Sequence, residues 1–299
     1  MSKKNVLVKP YLKWAGGKRQ LLPELKKYVP KNFEVYYEPF VGAGALLFSL
    51  QPNKFVINDM NSDLITTYQE IKDNVESLIE CLKEHKTKNK EDHYYSTRDE
   101  DRDPSEFSKL TSTKKAARLI YLNKTCYNGL YRVNSQGMFN TPFGFYKNPG
   151  ICDEPILRAV SDFLNNASSA NIMNGDFEKC VEKATKKDFI YFDPPYHSPS
   201  KTNFTGYQPN GFNDEEQERL SKVFGKLADK GVKCMLSNSS TPLIKELYNR
   251  KDFRIMTVQA NRAINSNSSG RGSVDEVIIL NWWPDGKNKE YQRRLETIN

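Results

Sequence analysis

Four consecutive residues, Asp193-Pro194-Pro195-Tyr196, combine groups suited to chemistry on an amine. They directly follow the apolar run 189–192, which is typical of a buried parallel strand. Neither proline has an N–H, so the turn presents a carboxylate, an aromatic ring and the bare carbonyl oxygens of its first three residues. Ligands of open α/β sheets bind where parallel strands end. The tetrapeptide therefore predicts a site for a planar ring with an NH₂ group, and a nucleobase is the foremost candidate.

A second candidate site follows the segment 35–38, which we predict to be a strand. Glu38 and Phe40 lead into Gly42 and Gly44, and glycines there let the backbone approach a ligand at a helix N-terminus. The third glycine of a dinucleotide fingerprint is absent, and a plain tight turn explains the pattern about as well. Asp59, at the tip of the next strand, is placed to accept hydrogen bonds from ribose hydroxyls, although such an aspartate also commonly caps a helix.

A third candidate precedes the first strand. Gly16-Gly17-Lys18 resembles a phosphate loop, but the earlier glycine is missing and Arg19 replaces the Ser or Thr that would hold Mg²⁺, so we reject a nucleotide-triphosphate site. Lys18 instead suits pairing with the carboxylate of a cofactor that carries an amino acid. Trp14 either covers an apolar or sulfonium-bearing part of such a ligand by cation–π contact or belongs to the core.

The composition excludes several classes of protein. The five cysteines are scattered without a C-x-x-C pair, which argues against zinc and disulfides and fits a reducing cytoplasm. Only three histidines occur, so a histidine-based metal site or triad is not expected. The sequence has no long apolar run and no signal-peptide pattern at its N-terminus. We therefore expect a cytoplasmic protein without a metal.

The net charge of +8 is unevenly distributed along the chain. Residues 107–152 contain no Asp or Glu but seven Lys and Arg, while residues 99–106 are mainly acidic. Such segregation favours a polyanion-binding face over a merely solvated basic surface.

Seven segments have the pattern of strands and mostly alternate with helical patterns. They are 35–38, 55–58, 171–173, 189–192, 232–236, 254–258 and 276–280. Asn213 and Glu216 form a capping box for one helix, which Gly231 ends. The alternation predicts an α/β fold with a doubly wound, mostly parallel, seven-stranded Rossmann-like sheet. Between the second and third strands we expect a helix at 63–82, followed by an inserted helical subdomain and a turn-rich loop.

Together these segments resemble the Dam family of DNA adenine-N6 methyltransferases, above all its DpnII-type members. The order is Lys-Trp-Ala-Gly-Gly-Lys at 13–18, Glu-Pro-Phe-Val-Gly-x-Gly at 38–44, the acid after strand two, an insertion, and Asp-Pro-Pro-Tyr. Segments 127–132 and 137–144 are similar to the family's target-recognition segment, and 174–177 to its adenosyl-contact motif. Phe145 stands where several relatives carry a basic residue.

The resemblance implies the domains and the roles of individual residues. It implies a discontinuous S-adenosylmethionine-binding catalytic domain at 1–65 and 166–283, a target-recognition subdomain at 66–165 and a polar tail at 284–299. The implied catalytic residues are Asp193, Pro194, Pro195 and Tyr196. The implied cofactor contacts are Trp14, Lys18, Glu38, Phe40, Gly42, Gly44, Asp59, Asp176, Phe177 and Asp193. The implied contacts to double-stranded DNA are Lys13, Tyr127, Asn128, Leu130, Arg132, Asn140, Pro142 and Tyr146.

The reaction expected from this resemblance is methylation of adenine N6, with GATC as the target. Both amine hydrogens would be donated to the Asp193 carboxylate and the Pro194 carbonyl, which aims the nitrogen lone pair at the methyl group. The base must leave the duplex, and Tyr196 would stack on it unless it is a core ring. Tyr127 either fills the vacated space or anchors a turn, and Arg132 either reads guanine or holds a phosphate.

Two loops and two other functions stay open. Residues 197–213 suit a lid or a plain surface loop, and residues 265–272, with Arg262 and Arg271, suit a phosphate grip or a disordered hairpin tip. A methyltransferase acting on RNA, cytosine-N4 or a protein amide would use a similar tetrapeptide, although aspartate at its first position favours adenine by resemblance. A catalytically inactive DNA-binding regulator is disfavoured, since no site residue is missing. A cognate restriction endonuclease of the same restriction–modification system, without direct contact, is an open partner.

Overall fold

The computed structural model describes residues 4–14, 21–199, 211–261 and 273–284. Within these ranges seven strands form one sheet in the order β3-β2-β1-β4-β5-β7-β6, where β7 is antiparallel to both neighbours and the other pairs are parallel. The strands are β1 (Tyr36–Glu38), β2 (Lys54–Asp59), β3 (Ser169–Asn174), β4 (Phe189–Phe192), β5 (Lys233–Ser239), β6 (Arg254–Asn261) and β7 (Ser273–Leu280). The predicted α/β fold and its mostly parallel sheet are confirmed.

The apolar run of β4 explains its place in the middle of the sheet. All four of its residues are buried, because a central parallel strand is covered on both faces. Phe189 and Tyr191 join the hydrophobic cluster on one face, and Ile190 and Phe192 join the cluster on the other, as alternation along a strand requires. The chain order changes direction between β1 and β4, which pair in parallel, so the ends of these two strands form the crevice of a doubly wound sheet.

Helices cover the sheet and build the insertion. Around the sheet lie α1 (Leu22–Tyr28), α2 (Ala45–Leu50), α9 (Phe177–Val181), α10 (Asp214–Asp229) and α11 (Pro242–Leu247). Asn213 caps α10 by accepting from the Glu216 N–H at 3.0 Å, and Gly231 follows it with φ +77°, both as predicted.

The insertion between β2 and β3 is helical, as expected. It contains α3 (Ser62–Asp73), α4 (Val75–Lys88), α5 (Glu91–Asp99), α6 (Pro104–Lys109), α7 (Ser112–Thr125) and α8 (Glu154–Asn166). The single helix predicted at 63–82 is wrong, because Asn74 leaves helical geometry with φ −138° and separates α3 from α4. Most of α7 is buried, so this helix is the axis on which the insertion packs.

Several sequence expectations fall outside the described residues. They concern Lys18, most of the 197–213 loop, residues 262–272 and all but the first residue of the 284–299 tail.

Candidate active site

The β4 turn, residues 193–196, begins where β4 ends and lies at the switch point of the sheet. On β5, the Ser237 hydroxyl donates to Asp193 Oδ1 at 2.8 Å. The Tyr191 hydroxyl lies 2.8 Å from Ser237 Oγ. Tyr191 must be the donor there, because the single hydroxyl hydrogen of Ser237 is directed to the carboxylate. Ser237 and Tyr191 form a hydrogen-bonded relay behind Asp193. Both are buried, so one oxygen of the Asp193 carboxylate is fixed before any substrate binds.

Buried amides hold the backbone of the turn. Gln217 Nε2 donates to the Pro195 carbonyl at 3.0 Å, and Asn238 Nδ2 donates to Gln217 Oε1 at 3.0 Å. Asn238 Oδ1 in turn accepts from the His197 backbone N–H at 3.0 Å. The expectation of three bare carbonyls is therefore wrong for Pro195, whose oxygen is already bonded. No described residue donates to the Pro194 carbonyl.

Tyr196 is anchored at its hydroxyl end. The hydroxyl donates to Glu276 Oε2 on β7 at 2.9 Å, and the residue as a whole is half-buried. Burial, together with the nearby Asp193 carboxylate, raises the pKa of Tyr196 well above its usual value. The phenol therefore stays a neutral donor, and the bond to Glu276 fixes the direction of the ring.

The glycine loop, residues 39–44, lies beside this turn at the end of β1. Gly42 and Gly44 have φ of +48° and +67°, which favours glycine at both positions. Asp59, at the tip of β2, accepts from the Gly42 N–H at 3.1 Å and from the Asn61 N–H at 3.0 Å. The helix cap of α3 is Asn61, so the alternative role of Asp59 as that cap is not observed. Burial raises the pKa of Asp59.

Asn58, next to Asp59, has a buried polar atom without a described partner. Its Nδ2 donates to the carbonyls of Pro39 at 3.0 Å and Gly175 at 2.8 Å. Its Oδ1 is buried and accepts from no described residue. A Cβ at Gly175 would meet no atom within 4 Å, so there is open space beside this amide. The Asn58 amide therefore ties the Pro39 and Gly175 carbonyls together beside that space.

Glu38 lies beneath the glycine loop rather than on its surface. It is 2% exposed, and its Oε2 accepts from the Tyr36 hydroxyl at 2.8 Å and from the Leu47 N–H at 3.2 Å. Burial raises the pKa of Glu38 well above its usual value. The side chain therefore braces the start of α2, which carries the loop.

Three aromatic rings cluster beyond β1 and β3. Phe40 and Phe177 have centroids 5.2 Å apart, and Phe212 lies edge-on to Phe40 at 5.6 Å. Asp176 caps α9, and its carboxylate accepts hydrogen bonds from both terminal nitrogens of Arg219 at 3.1 and 2.7 Å. This bidentate pair lowers the pKa of Asp176, and the guanidinium also lies 4.1 Å from the centroid of the Phe177 ring. The cluster is an apolar wall with one charged edge.

Trp14 connects the glycine loop to the insertion. A Cβ at Gly42 would lie 3.0 Å from Trp14 Cδ1. The indole of Trp14 also stacks on the Tyr131 ring, with the ring centroids 5.0 Å apart. Tyr131 in turn packs edge-on against Phe139 at 5.7 Å. The tryptophan is half-buried and thus lies between the two parts of the molecule.

The recognition segment, residues 126–146, follows α7 and has little regular structure. Two isolated antiparallel bridges, Cys126 with Phe143 and Val133 with Phe139, fold it back on itself. The Tyr94 hydroxyl of α5 donates to the Thr141 carbonyl at 2.8 Å and ties the segment to the helices. An irregular segment that is tied to the helices and carries exposed side chains such as Tyr127 and Arg132 is the form expected of a binding loop on a rigid scaffold.

The DNA-contact residues expected from the sequence are concentrated in this segment. Arg132 is exposed and donates to Asn140 Oδ1 at 2.8 Å and to the Asn140 carbonyl at 3.2 Å, so two of them form one unit. The Tyr127 N–H donates to the Pro142 carbonyl at 2.8 Å, and the Tyr127 side chain is 56% exposed. Asn128 occupies the left-handed region with φ +55°, and Leu130 is half-buried behind it.

Lys13 joins the recognition segment from the N-terminal side. Its backbone N–H donates to Asn123 Oδ1 at 2.9 Å, and Asn123 Nδ2 donates back to the Lys13 carbonyl at 2.6 Å. Its ammonium lies 4.7 Å from the centroid of the Tyr146 ring. A Cβ at Gly129 would lie 2.4 Å from the Lys13 side chain, so glycine permits this close approach.

The acid-free stretch is not a uniform cationic face. Arg118 is only 4% exposed and pairs with Asp101 at 2.9 Å, while its Nε donates to the Thr97 carbonyl at 2.9 Å. Asp101 also accepts from the Phe139 N–H at 2.9 Å. Folding therefore uses one cation of the stretch, with an acid from the preceding segment, to hold the recognition segment in place.

The residues that hold the site could not be found from the sequence. Ser237, Glu276, Gln217 and Arg219 were not identified as site residues. Ser237 and Glu276 lie 44 and 80 residues from their partners in the chain, so no local pattern indicates them. The one available signal was Glu276, an acidic residue at the start of the predicted strand 276–280.

Comparison with known proteins identifies the class of enzyme. The model of the D12 class N6 adenine-specific DNA methyltransferases matches residues 14–264. The chain therefore belongs to this family of enzymes, which transfer a methyl group from a methyl donor to adenine in DNA.

Curated relatives agree with the family over nearly the whole chain. The chain is 47% identical to the type II methyltransferase M1.LlaDCHI of Lactococcus lactis subsp. cremoris, across 94% of this chain and 98% of that protein. It is 42% identical to the type II methyltransferase M.MjaIII of Methanocaldococcus jannaschii, across 92% and 99%. It is 34% identical to the DNA adenine methylase of Escherichia coli K12, across 90% and 94%. The resemblance to the Dam family is thus confirmed.

Two further features are absent from the described ranges. Those ranges contain no group of three or more His, Cys, Asp or Glu residues able to hold a metal ion. They also contain no helix long and apolar enough to cross a membrane.

Proposed function

We propose that this enzyme methylates the exocyclic N6 amine of adenine in duplex DNA, within GATC, with S-adenosylmethionine as methyl donor. The observation that carries the proposal is the Asp193 carboxylate, held by Ser237 at the end of β4 beside the Pro-Pro turn. A carboxylate and a backbone carbonyl are the acceptors that an amine with two hydrogens requires. Family membership supplies the reaction type, and GATC rests on the resemblance of the recognition segment to the Dam family.

The proposed mechanism depends on orientation and charge. The adenine amine is a weak nucleophile because its lone pair is delocalised into the ring. Donation of its two hydrogens to the Asp193 carboxylate and the Pro194 carbonyl draws the lone pair back to nitrogen and aims it. When bound, S-adenosylmethionine supplies an electrophilic methyl group. The Asp193 carboxylate stabilises the positive charge that develops on N6 and, held by Ser237, needs no reorganisation.

The residues around the glycine loop fit such a methyl donor. The Asp59 carboxylate would accept hydrogen bonds from the ribose hydroxyls in addition to those from the backbone, since each carboxylate oxygen has two lone pairs. Phe40 and Phe177 would contact the adenine ring of the donor. The remaining contacts would come from Gly42, Gly44, Trp14 and Lys18, while Glu38 and Asp176 act through the loop and the helix that they brace.

The target base is proposed to leave the duplex, because N6 cannot reach the β4 turn from within a base pair. Tyr196, fixed through Glu276, would stack on the extruded adenine. The exposed Tyr127 would fill the space that the base vacates.

Sequence selection is proposed for the recognition segment. Arg132, oriented by Asn140, would donate to the O6 and N7 atoms of guanine. Leu130 and Pro142 would contact base edges nearby, and Lys13, Tyr146 and Asn128 would contact the flanking backbone.

The reaction places the enzyme with DNA in the cytoplasm. The type II names of two relatives support a restriction–modification role, in which a cognate endonuclease needs no direct contact.

The proposal is tested by the product that the purified protein forms. Labelled S-adenosylmethionine is supplied with a GATC duplex, a duplex with one base pair of the site changed, and the matching RNA. The expected result is label in the GATC duplex alone, recovered as N6-methyladenine by nucleoside mass spectrometry. A GATC duplex already methylated at both adenines is the matched control and should accept no label.

The other outcomes each identify a competing function. N4-methylcytosine or labelled RNA would identify the alternative substrates. Equal label in both duplexes would overturn GATC. Tight binding of unlabelled duplex without any transfer would identify a DNA-binding regulator.

A further inference from the structure

Phe145 has an unusual backbone for a large aromatic residue. Its φ is +51°, in the left-handed region, and its side chain is 70% exposed. The other described non-glycine residues with positive φ are Gln51 and Asn128. Left-handed geometry strains a bulky side chain and persists only where the surroundings impose it, which happens preferentially at binding sites. A strained and solvent-exposed phenylalanine has no evident benefit for folding.

The surroundings of Phe145 impose this conformation. The Gly144 N–H donates to the Thr125 carbonyl at 2.8 Å. A Cβ at Gly144 would lie 2.6 Å from the Tyr146 ring and 2.8 Å from the Thr125 carbonyl oxygen, so only glycine fits there. The Phe143 ring, half-buried, lies edge-on to Phe145 at 5.0 Å. The Phe145 ring is therefore supported from within and projects outward on a fixed backbone.

The chemistry around Phe145 indicates a nucleic-acid partner. The acid-free stretch 107–152 surrounds it in sequence, and Lys147 and Arg132 in that stretch are exposed. Tyr146, the next residue, is the ring over which the Lys13 ammonium lies. An exposed aromatic ring in a cationic stretch of the chain fits a polyanion that also offers apolar surface, which duplex DNA does through its sugars and base edges.

We propose that Phe145 is a DNA contact that packs on a deoxyribose or a base edge beside the target site and adds affinity without an ionic component. This inference rests on the proposed function, because the partner is the same duplex. The Phe145 side chain has no charge to pair with a phosphate, so its contact would be independent of the phosphates.

The experiment measures duplex affinity as a function of salt for substituted full-length protein. Phe145→Asn removes the ring but keeps a residue that tolerates positive φ, and Phe145→Leu keeps an apolar side chain. The Asn variant should bind a cognate duplex about tenfold more weakly with an unchanged slope of log affinity against log salt. The Leu variant should lose less. Phe145→Arg should steepen the slope by about 0.9, since it adds one phosphate contact.

Two controls distinguish a DNA contact from a general loss of apolar surface and from misfolding. Val6→Asn removes an apolar residue that is 87% exposed and lies outside the insertion, and its affinity should match the unsubstituted protein. The melting temperature of Phe145→Asn should not fall, because the strain is relieved. Unchanged affinity in Phe145→Asn, equal loss in Val6→Asn, or a flatter salt slope in Phe145→Asn would each overturn the inference. If the unsubstituted protein neither binds nor methylates DNA, the proposed function fails instead.

Discussion

The β4 turn and the recognition segment differ in which of their groups the rest of the protein holds. In the β4 turn, Asp193, Pro195 and Tyr196 each have a partner on another element, and the residues that hold them are largely buried. In the recognition segment, the backbone is tied to the helices while Tyr127 and Phe145 are exposed. One region is oriented before a ligand binds, and the other presents surface for a partner to cover.

The difference follows from what each region has to do. A group that stabilises developing charge is most effective when it is oriented in advance, since reorganisation would add to the barrier. A group that reads a base edge must be exposed to reach it, so only its support can be built in. Substitutions should therefore affect rate at the β4 turn, and affinity, discrimination or folding at the recognition segment.

The largest effect is expected for Asp193→Asn, which keeps the shape and removes the charge. The methyl-transfer rate constant in a single turnover should fall about 10³-fold, because charge on N6 is no longer stabilised. DNA affinity, measured by fluorescence anisotropy, should change little. Asp229→Asn, an exposed aspartate that pairs with Arg250, is the control and should keep its rate. A near-normal rate in Asp193→Asn would remove the carboxylate from the mechanism.

The next effect is on folding of the recognition region. Asp101→Ala removes the nearest carboxylate of the buried Arg118, leaving Glu100 at 3.7 Å, and removes the acceptor of the Phe139 N–H, so the free energy of unfolding should fall by about 3 kcal/mol. Glu154→Ala breaks an exposed pair with Arg158 at 3.0 Å and should change little. Urea unfolding of both variants measures the difference. Equal stability in the two would mean that Asp101 is not a structural tie.

A smaller effect on discrimination is expected for Arg132→Ala. Preference for the correct base pair at one position should fall about 10-fold or more, while the rate on the cognate site at saturating DNA is kept. Lys147→Ala, an exposed cation of the same stretch, should instead weaken binding to all sequences and reduce the salt slope. Methylation of duplexes substituted at each position tests both. Uniform weakening by Arg132→Ala would indicate a phosphate contact.

Removal of the relay behind Asp193 should have a moderate effect on rate. Ser237→Ala deletes one hydrogen bond to a charged group and should slow transfer about 10-fold. Tyr191→Phe removes only the outer link and should slow it less. The double variant should be no slower than Ser237→Ala, because Tyr191 acts through Ser237. Additive losses in this cycle would show two independent roles.

The smallest effect is a pH dependence confined to the insertion. Burial, and then the neighbouring His93 ring with nitrogens 3.0 Å apart, lowers the pKa of His85 to about 4. Between that value and the unfolded value of about 6.5, the unfolded chain binds more protons, so this contribution to stability is present above about pH 6.5 and is lost as pH falls toward 4. Melting temperatures of the wild type and of His85→Gln should converge across this window. A constant difference between them would contradict the assignment.

Much of the catalytic architecture could be predicted from local patterns. The run 189–192 and the prolines after it located β4 and its turn, because an apolar run of that length suits a strand covered on both faces. Asn213 and Gly231 predicted both ends of α10 by their capping chemistry. The break at Asn74 was missed, because nothing in the apolar periodicity of residues 63–82 interrupts a helix.

The chemistry of the site, in contrast, was only half visible in the sequence. Residue types and spacing indicated an amine-binding turn and a ligand loop, since both depend on adjacent residues. The Ser237 and Glu276 contacts, the burial of Arg118 and the pairing of Asp176 with Arg219 arise between distant segments. By itself the sequence determined which groups the molecule has and where β1, β4 and β7 end. The tertiary structure decided which of those groups are held, neutralised or left exposed, because hydrogen bonds and burial depend on neighbours that only the folded chain brings together.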